Sequence, residues 1–298
     1  MKKIIICLFI VLPAVIMTGC VKGEDLIFNG TATERMTAAL KEYREILVSS
    51  ENGWALDYYT QKKQANRGTT ILCKFHENGT VDVASIDDTN KAAREVASSD
   101  FDMLGTQGPV LSFSEYNPVL HYYCEPSTSN IEGLEIGDYE FVLLSHSENE
   151  IILKGKKWSN YMILTRLESS DWNTYFENAV NNALINNYIT RVATLTVNGQ
   201  VYESEVSGKK YYVTDKSGKT LDIVYTVTNN GLRFYKYVDI DGVEMRNLTY
   251  NPQTLEYVCT DPGVNAKISI TFKDQYNDIL SGVARYRVSL PFCSPDLA

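Results

Sequence analysis

The amino-acid sequence predicts a mainly β protein of the α+β class. We expect antiparallel β meanders that form barrel- or sandwich-like units, each preceded by an amphipathic helix. Short runs of alternating apolar and polar residues recur along most of the chain, which is typical of half-buried strands. Asn-Gly or Asp-Gly pairs, which favour tight hairpins, stand at 78–79, 198–199, 230–231 and 241–242. The connections are too short for the crossover helices of a parallel sheet.

Two amphipathic helices are predicted, one at the start of each meander. The first covers 31–50, where Thr31 and Glu34 fit a capping box. Its apolar stripe contains Met36, Leu40, Tyr43 and Leu47. The second covers 171–187, with Asp171 as the N-cap. Its stripe contains Trp172, Phe176, Ala179, Ala183 and Leu184. Because each helix has a single apolar face, each should pack against a sheet.

The remaining pattern predicts two sets of strands. The first set covers 53–59, 69–75, 80–85, 110–113, 120–123, 139–144, 150–154 and 161–167. The second set covers 192–197, 201–206, 210–214, 221–228, 232–240, 243–250, 255–259, 267–272 and 284–290. The sequence thus predicts two helix-plus-meander units, over 31–168 and 169–298, and leaves open whether they form one domain or two.

The N-terminus has the pattern of a lipoprotein signal peptide over 1–19, followed by a tether over 20–30. Two lysines precede an apolar core over 4–16, which is too short to span a membrane. The sequence Met-Thr-Gly-Cys at 17–20 then fits a lipobox, which predicts that Cys20 is lipidated and becomes the new N-terminus. An ordinary secretory signal with a chance Gly-Cys pair is the alternative.

Composition argues against several classes of function. The formal net charge is −9, so the chain has no electrostatic footprint for nucleic acid. No run after the signal is long enough for a transmembrane helix, so we expect lipid to be the membrane anchor. With three His residues and no CxxC pair, we expect neither a metal site nor a cofactor. The redox state of the other four cysteines of the mature chain stays open between free thiols and at least one disulfide; they are Cys73, Cys124, Cys259 and Cys293.

The segment over 115–123 is the first candidate for a ligand site. Its Asn-Pro turn brings a His, Tyr rings and a carboxylate together, and aromatic faces beside hydrogen-bonding groups suit sugars or peptides. Asp138 and Glu140 alternate in a predicted strand, so both carboxylates should face one side, where they could serve glycoside hydrolysis. The candidate ligand-binding residues are Glu115, Tyr116, Asn117, His121, Tyr123, Asp138 and Glu140. The alternatives are core packing for the aromatic segment and a solvated face for the carboxylates.

A secondary binding face is predicted on the strand over 232–240. There Arg233, Tyr235 and Tyr237 alternate with apolar residues and should point outward as a stripe of one cation and two rings. Exposed strands also carry Tyr for cross-strand packing, which is the alternative. The sequence contains no nucleophile elbow and no phosphate-binding glycine loop, so no catalytic residue is predicted.

Four stretches carry a family resemblance. They read GW at 53–54, GPVLSFSEYNPVLH at 108–121, GDYEFV at 137–142 and ILKGK at 152–156. They resemble a family of Bacteroidetes outer-membrane lipoproteins that is defined only as a domain of unknown function. The resemblance is specific over 25–167 and looser beyond. It implies an outer-membrane lipoprotein encoded near uptake systems of the starch-utilisation type, and it carries over no catalytic residue.

These observations lead to one expectation for function and two alternatives. We expect a lipid-anchored outer-membrane protein at the cell surface that acts as a non-catalytic binding or accessory component of nutrient capture. Its ligand would be a glycan or a peptide, and its partner an outer-membrane uptake complex. The alternatives are a carboxylate-dependent hydrolase and a structural or adhesive surface protein. The identity of the ligand and the choice between the periplasmic and the external face stay open.

Overall fold

The computed structural model describes residues 30–61, 68–86, 95–126, 136–187, 191–207 and 210–272. The signal peptide, Cys20, Cys293 and the strand predicted at 284–290 lie outside the described residues. The described part of the chain is mainly β, with two barrel-like antiparallel sheets and two α-helices. The predicted fold class is therefore confirmed.

Helix α1 spans Ala32–Val48 and begins with the predicted capping box. The hydroxyl oxygen of Thr31 accepts the backbone N–H of Glu34, and the Glu34 carboxylate accepts the backbone N–H of Thr31. Tyr43 and Leu47 from the predicted apolar stripe are buried, while the two earlier members of the stripe are half-buried. The helix thus buries mainly its C-terminal half.

Nine strands form the first sheet. They are β1 (Trp54–Tyr58), β2 (Thr69–Phe75), β3 (Thr80–Ser85), β4 (Ala97–Asp100), β5 (Asp102–Gly105), β6 (Pro109–Ser112), β7 (Glu140–His146), β8 (Glu150–Gly155) and β9 (Tyr161–Arg166). Neighbouring strands pair antiparallel in chain order, with β4 and β5 at the two edges, and β1 also pairs with β9. The meander is therefore rolled up so that its first strand meets its last.

Strands β4 and β5 behave as one strand that changes partners. Only Phe101 separates them, yet β4 pairs with β3 whereas β5 pairs with β6. The stretch from 97 to 105 thus connects the two edge strands of the sheet. If β4 and β5 are taken as one strand, the sheet closes into an eight-stranded up-and-down barrel. The sequence did not predict this strand because Ala-Ser-Ser-Asp in β4 lacks the β-branched and aromatic residues typical of strands.

The two ends of the first barrel are covered by different elements. Helix α1 covers one end: the indole N–H of Trp54 donates to the Leu47 carbonyl (2.8 Å), and Arg44 donates to the Glu77 carbonyl (2.9 Å) in the β2–β3 turn. The connection between β6 and β7 covers the other end, where the Tyr123 hydroxyl lies 3.0 Å from that of Ser85 at the end of β3. Helix α1 and the described part of the β6–β7 connection therefore lie over opposite ends of the barrel.

Eight strands form the second barrel. They are β10 (Arg191–Val197), β11 (Gln200–Ser207), β12 (Lys210–Thr214), β13 (Thr220–Val227), β14 (Gly231–Ile240), β15 (Val243–Asn251), β16 (Glu256–Cys259) and β17 (Ala266–Phe272). They again follow chain order, and pairing of β10 with β17 closes the barrel. Asn198 and Asp241 have positive φ and each precedes a positive-φ Gly, as the predicted tight hairpins require.

Helix α2 (Trp172–Asn187) joins the two barrels. The carboxylate of Asp171 accepts the backbone N–H of Thr174 (3.0 Å), which confirms the predicted N-cap. Phe176 and Ala179 of the predicted stripe are buried in the core of the second barrel. The indole N–H of Trp172 donates to the Asn52 carbonyl (3.1 Å), so the start of the helix is tied to the first barrel.

The barrels share a continuous apolar contact. Ala55, Leu72 and Ala84 on β1, β2 and β3 belong to the same buried cluster as the core of the second barrel. At the edge of this contact the Thr70 hydroxyl donates to the Val227 carbonyl (2.7 Å). The small side chains of the two alanines let the second barrel approach the first sheet closely.

Three cysteines in the described residues, Cys73, Cys124 and Cys259, are free. Cys73 lies on β2 and is fully buried in the core of the first barrel, where it packs as a small apolar side chain. Among the described residues, no helix has both the length and the apolarity needed to cross a membrane.

Candidate functional site

Asn117 organises the segment that the sequence singles out. Its side-chain oxygen accepts the backbone N–H groups of Val119 (3.0 Å) and Leu120 (3.3 Å), and its amide donates to the Ala97 carbonyl (3.1 Å) on β4. These bonds start a short 3-10 helix, His121–Cys124, where a strand was predicted. The strand prediction is wrong because a buried side chain caps the turn, which residue propensities alone do not reveal.

Three rings lie in a row above this turn, and we call them the ring stack: Tyr116, His121 and Tyr139. His121 stacks on Tyr139 and is tilted against Tyr116. The centroid of His121 lies 5.5 Å from that of Tyr116 and 5.0 Å from that of Tyr139, with interplanar angles of 37° and 27°. The outer rings are exposed, Tyr116 at 59% and Tyr139 at 43%. The ring stack therefore presents aromatic surface to solvent in a fixed orientation.

Hydrogen bonds hold the ring stack in place. The Nδ1 atom of His121 accepts the backbone N–H of Asn117 (3.1 Å), and burial lowers the pKa of the imidazole, so the central ring is neutral at neutral pH. The Tyr116 hydroxyl donates to the Glu125 carboxylate, which raises the pKa of that phenol. Glu115 accepts the backbone N–H of Asp100 (3.2 Å) at the end of β4.

Two of the predicted ligand-binding residues are buried instead. Asn117 is fully enclosed, and Tyr123 lies in the first barrel's core, where its ring packs against Tyr58 at 5.1 Å. A ligand at the surface does not reach either side chain. Their placement matches the alternative of core packing, because a polar side chain that is satisfied inside the protein needs no ligand.

The two predicted carboxylates have separate partners. Asp138 is buried, and its oxygens accept the backbone N–H groups of Lys157 (2.7 Å) and Trp158 (3.3 Å), while burial raises the pKa of its carboxyl. Glu140 is half-buried and forms an ion pair with Lys156 (3.0 Å). Each carboxylate is thus tied to the β8–β9 turn rather than to the other.

An open depression of about 340 Å³ lies beside the ring stack. It is lined by Cys124, Gly137, Asp138, Tyr139, Glu140, Lys156 and Lys157. Burial raises the pKa of the Cys124 thiol to about 12, so the thiol stays protonated at neutral pH and is a weak nucleophile. The depression therefore offers an aromatic edge, two cations and carboxylate oxygens within one small volume.

Sequence reasoning missed three members of this site. Tyr139 lies between the two predicted carboxylates, and the structure places all three residues in the lining of the same depression. Lys156 and Lys157 form a basic pair at a hairpin turn, a signal that was available in the sequence. What the sequence did not show is that this turn folds back onto the β6–β7 connection.

The secondary face on β14 is largely covered. Arg233 lies between the barrels, and the Tyr235 hydroxyl accepts the backbone N–H of Tyr161 (2.8 Å), while its ring packs edge-on against Tyr59 at 4.7 Å. Tyr237 alone is exposed, at 53%. The stripe does point away from the second barrel's interior, but the first barrel packs against Arg233 and Tyr235, so the stripe is not the open outward face that was expected. Ligand binding at these residues stays a prediction.

The part of the chain that the structure describes contains no cluster of metal-binding side chains. No group of three or more His, Cys, Asp or Glu side chains in those ranges is placed to hold a metal ion.

The structure defines a two-barrel β protein, in which two eight-stranded up-and-down barrels pack side by side and each is associated with a helix. The ring stack lies at the end of the first barrel where the β6–β7 connection packs. The chain belongs to the family described as domain of unknown function DUF4302, whose sequence profile matches residues 24–252. The match covers all of the first barrel and the second barrel through β15. No curated protein and no solved structure matches this chain.

Proposed function

We propose that this protein is a cell-surface lipoprotein that binds a glycan or peptide, as a non-catalytic component of nutrient capture. The observation that carries the proposal is the ring stack, whose two outer tyrosines are exposed beside a depression with charged walls. Aromatic faces next to hydrogen-bonding groups suit sugar rings and peptide side chains, because stacking and directional bonds act on the same ligand.

Pre-organisation supports binding at the ring stack. Asn117 holds His121 through the backbone, and Glu125 holds the Tyr116 hydroxyl, so the rings are ordered before a ligand arrives. A ligand that stacks on Tyr116 or Tyr139 then loses little affinity to the ordering of protein side chains. Lys156 and Glu140 form an ion pair in the lining of the same depression, and their remaining hydrogen-bonding positions can bond to hydroxyl or amide groups of a ligand.

A binding function fits these contacts better than carboxylate-dependent hydrolysis. Glycoside hydrolysis needs one carboxyl as acid and a second as base or nucleophile at a defined separation. Asp138 accepts backbone N–H bonds and Glu140 is paired with Lys156, so both are already engaged. A structural or adhesive role is the remaining alternative, and a ligand screen separates it from nutrient capture.

The membrane anchor is the second part of the proposal. The lipobox at 17–20 predicts acylation of Cys20, and the family resemblance implies the outer membrane and an uptake complex as partner. Cys20→Ala should abolish incorporation of labelled fatty acid and leave the precursor unprocessed, whereas Cys73→Ala should be labelled like the wild type. Unchanged labelling of Cys20→Ala would exclude the anchor.

Binding is tested with the purified protein from residue 21 onward on glycan and peptide arrays. For a ligand found there, Tyr116→Ala and Tyr139→Ala should each weaken affinity by about 5- to 150-fold, the equivalent of about 1–3 kcal/mol. Tyr161→Ala is the matched control, because Tyr161 is 50% exposed on β9, away from the ring stack. Equal affinity of all three variants would refute the assignment, and breakdown of the ligand would favour a hydrolase.

A further inference from the structure

A second cavity, of about 260 Å³, lies where the two barrels meet. The first barrel borders it with β1 and the end of β9, and the chain between β9 and α2 continues this wall. The start of α2, the β13–β14 turn and β14 form the remaining walls. Its lining is mostly polar and includes Asp57, Thr165, Glu168, Asn178, Asn229 and Arg233. A water occupies about 30 Å³, so the cavity holds several waters and is comparable in size to one sugar ring.

An ion pair between the barrels forms the inner wall of this cavity. The Nη1 atom of Arg233 donates to Asp57 Oδ2 (3.0 Å) and to the Thr165 hydroxyl (2.7 Å), and its Nε donates to Asn247 Oδ1 (3.2 Å). The side chain of Asp57 is 3% exposed and that of Arg233 is 16% exposed. Three bonds to two barrels thus fix the guanidinium in one orientation.

The same ion pair keeps unused hydrogen-bonding capacity. Within the described residues, Arg233 Nη2 donates to no acceptor and Asp57 Oδ1 accepts no hydrogen bond. Both residues line the cavity, and their side chains are 16% exposed for Arg233 and 3% exposed for Asp57. The cavity wall therefore contains a charged donor and a charged acceptor that have unused hydrogen-bonding capacity.

We propose that this inter-barrel cavity binds a neutral polyhydroxylated ligand, one sugar ring in size. A pair of neighbouring hydroxyls matches the wall: one hydroxyl donates to Asp57 Oδ1, and the other accepts from Arg233 Nη2. Both bonds are charge-assisted, which makes them the strongest available to an uncharged ligand. Amide side chains of Asn178 and Asn229 supply further donors and acceptors on the opposite walls.

The charges around the cavity favour a neutral ligand over an anion. Asp57 already neutralises Arg233, and the pKa of the guanidinium is raised mainly by that carboxylate. Arg166 also lines the cavity, but its guanidinium already donates to the Glu148 carbonyl (2.8 Å) and the Ser49 hydroxyl (3.0 Å). Glu168 and Asp171 add two negative charges to the lining, so an anionic ligand would meet more carboxylates than guanidinium groups there.

This site is separate from the ring stack, and the proposal does not depend on it. The ring stack lies on the β6–β7 connection, whereas the inter-barrel cavity is formed by β1, β9, α2 and β14. Its walls come from both barrels, so the site exists only while the barrels are packed against each other.

Titration of the full-length protein in detergent tests the site. The probes are glucose, galactose, mannose and sorbitol, with succinate as an anionic comparison, and binding is followed by saturation-transfer NMR and calorimetry. Asn178→Trp should fill the cavity from an exposed position on α2 and weaken binding about tenfold or more. Glu177→Trp, also exposed but outside the cavity lining, is the control and should change affinity less than about twofold.

Two further variants separate the sites. Arg233→Gln should also abolish binding of the ligand. Because this change can disturb the contact between the barrels, the decisive comparison is between Asn178→Trp and Glu177→Trp. Tyr116→Ala should leave this binding unchanged, since it changes the ring stack only. The proposal is overturned if no neutral probe binds saturably, if succinate binds in preference, if both tryptophan variants weaken binding equally, or if Tyr116→Ala alone abolishes it.

Discussion

Removing the carboxylate of Asp57 should destabilise the contact between the barrels strongly. Asp57→Asn keeps the size of the side chain but takes away the counter-charge of Arg233. The guanidinium retains its bonds to Thr165 and Asn247, so its position is held while its charge is left unpaired. Breaking a buried ion pair by removing one partner costs about 3–5 kcal/mol.

The magnitude follows from the burial of both partners. Side-chain exposures of 3% for Asp57 and 16% for Arg233 leave little water to screen or solvate the remaining charge. By contrast, Lys41 and Glu45 on α1 are exposed at 77% and 65%, with a separation of 3.7 Å. Lys41→Gln should therefore change stability by no more than about 0.5 kcal/mol.

Urea unfolding, followed by circular dichroism and tryptophan fluorescence, measures the difference. Arg233→Met should be similarly destabilising, because it leaves the Asp57 carboxylate buried and unpaired. The double variant Asp57→Asn with Arg233→Met should lose less than the sum of the single losses, by about 0.5–3 kcal/mol. Strict additivity, or a loss for Asp57→Asn as small as that for Lys41→Gln, would refute the reasoning.

Three other predictions concern the first barrel. Leu47→Ala should lower the unfolding free energy by about 2–5 kcal/mol, because Leu47 is fully buried, whereas exposed Leu144→Ala should have a small effect in the same urea titration. Gly155→Ala would place a Cβ atom 2.2 Å from Asp138 Oδ2, so we expect thermal unfolding to show a loss of about 1–3 kcal/mol; an unchanged melting temperature would contradict this contact. Burial lowers the pKa of His121 in the folded state, so the unfolded chain binds the proton more readily. The contribution of His121 to stability should be complete above about pH 6.5 and decrease below it, and His121→Gln should reduce this decrease when the melting temperature is measured against pH. An identical pH profile of the variant would count against a neutral, half-buried imidazole.

Local sequence determined the elements whose stabilisation is local. The capping box at Thr31, the N-cap at Asp171 and the Asn-Gly and Asp-Gly hairpins each depend on groups within four residues of one another. Alternation of apolar residues determined which strands are half-buried, and short connections determined that neighbours pair antiparallel. The class of fold, mainly β meanders with two helices, therefore followed from the chain alone.

The candidate site was only partly predictable, because its residues come from separate parts of the chain. Sequence reasoning identified Tyr116 and His121, but Tyr139 joins them only when the start of β7 lies beside the 3-10 helix. Asn117 looked like a surface turn residue, and its burial depends on a bond to β4. Ring-on-ring contact is a distance in space, which periodicity and spacing do not encode.

Tertiary structure alone decided how the meanders close and what they cover. The strand at 97–105 exists because two different neighbours, β3 and β6, each pair with half of it, and its own sequence has little strand propensity. The stripe of Arg233 and Tyr235 was correctly placed on one face of its strand, yet the first barrel covers that face. The physical reason is that strand alternation sets the direction of a side chain, whereas burial and charge pairing depend on which surface packs opposite it.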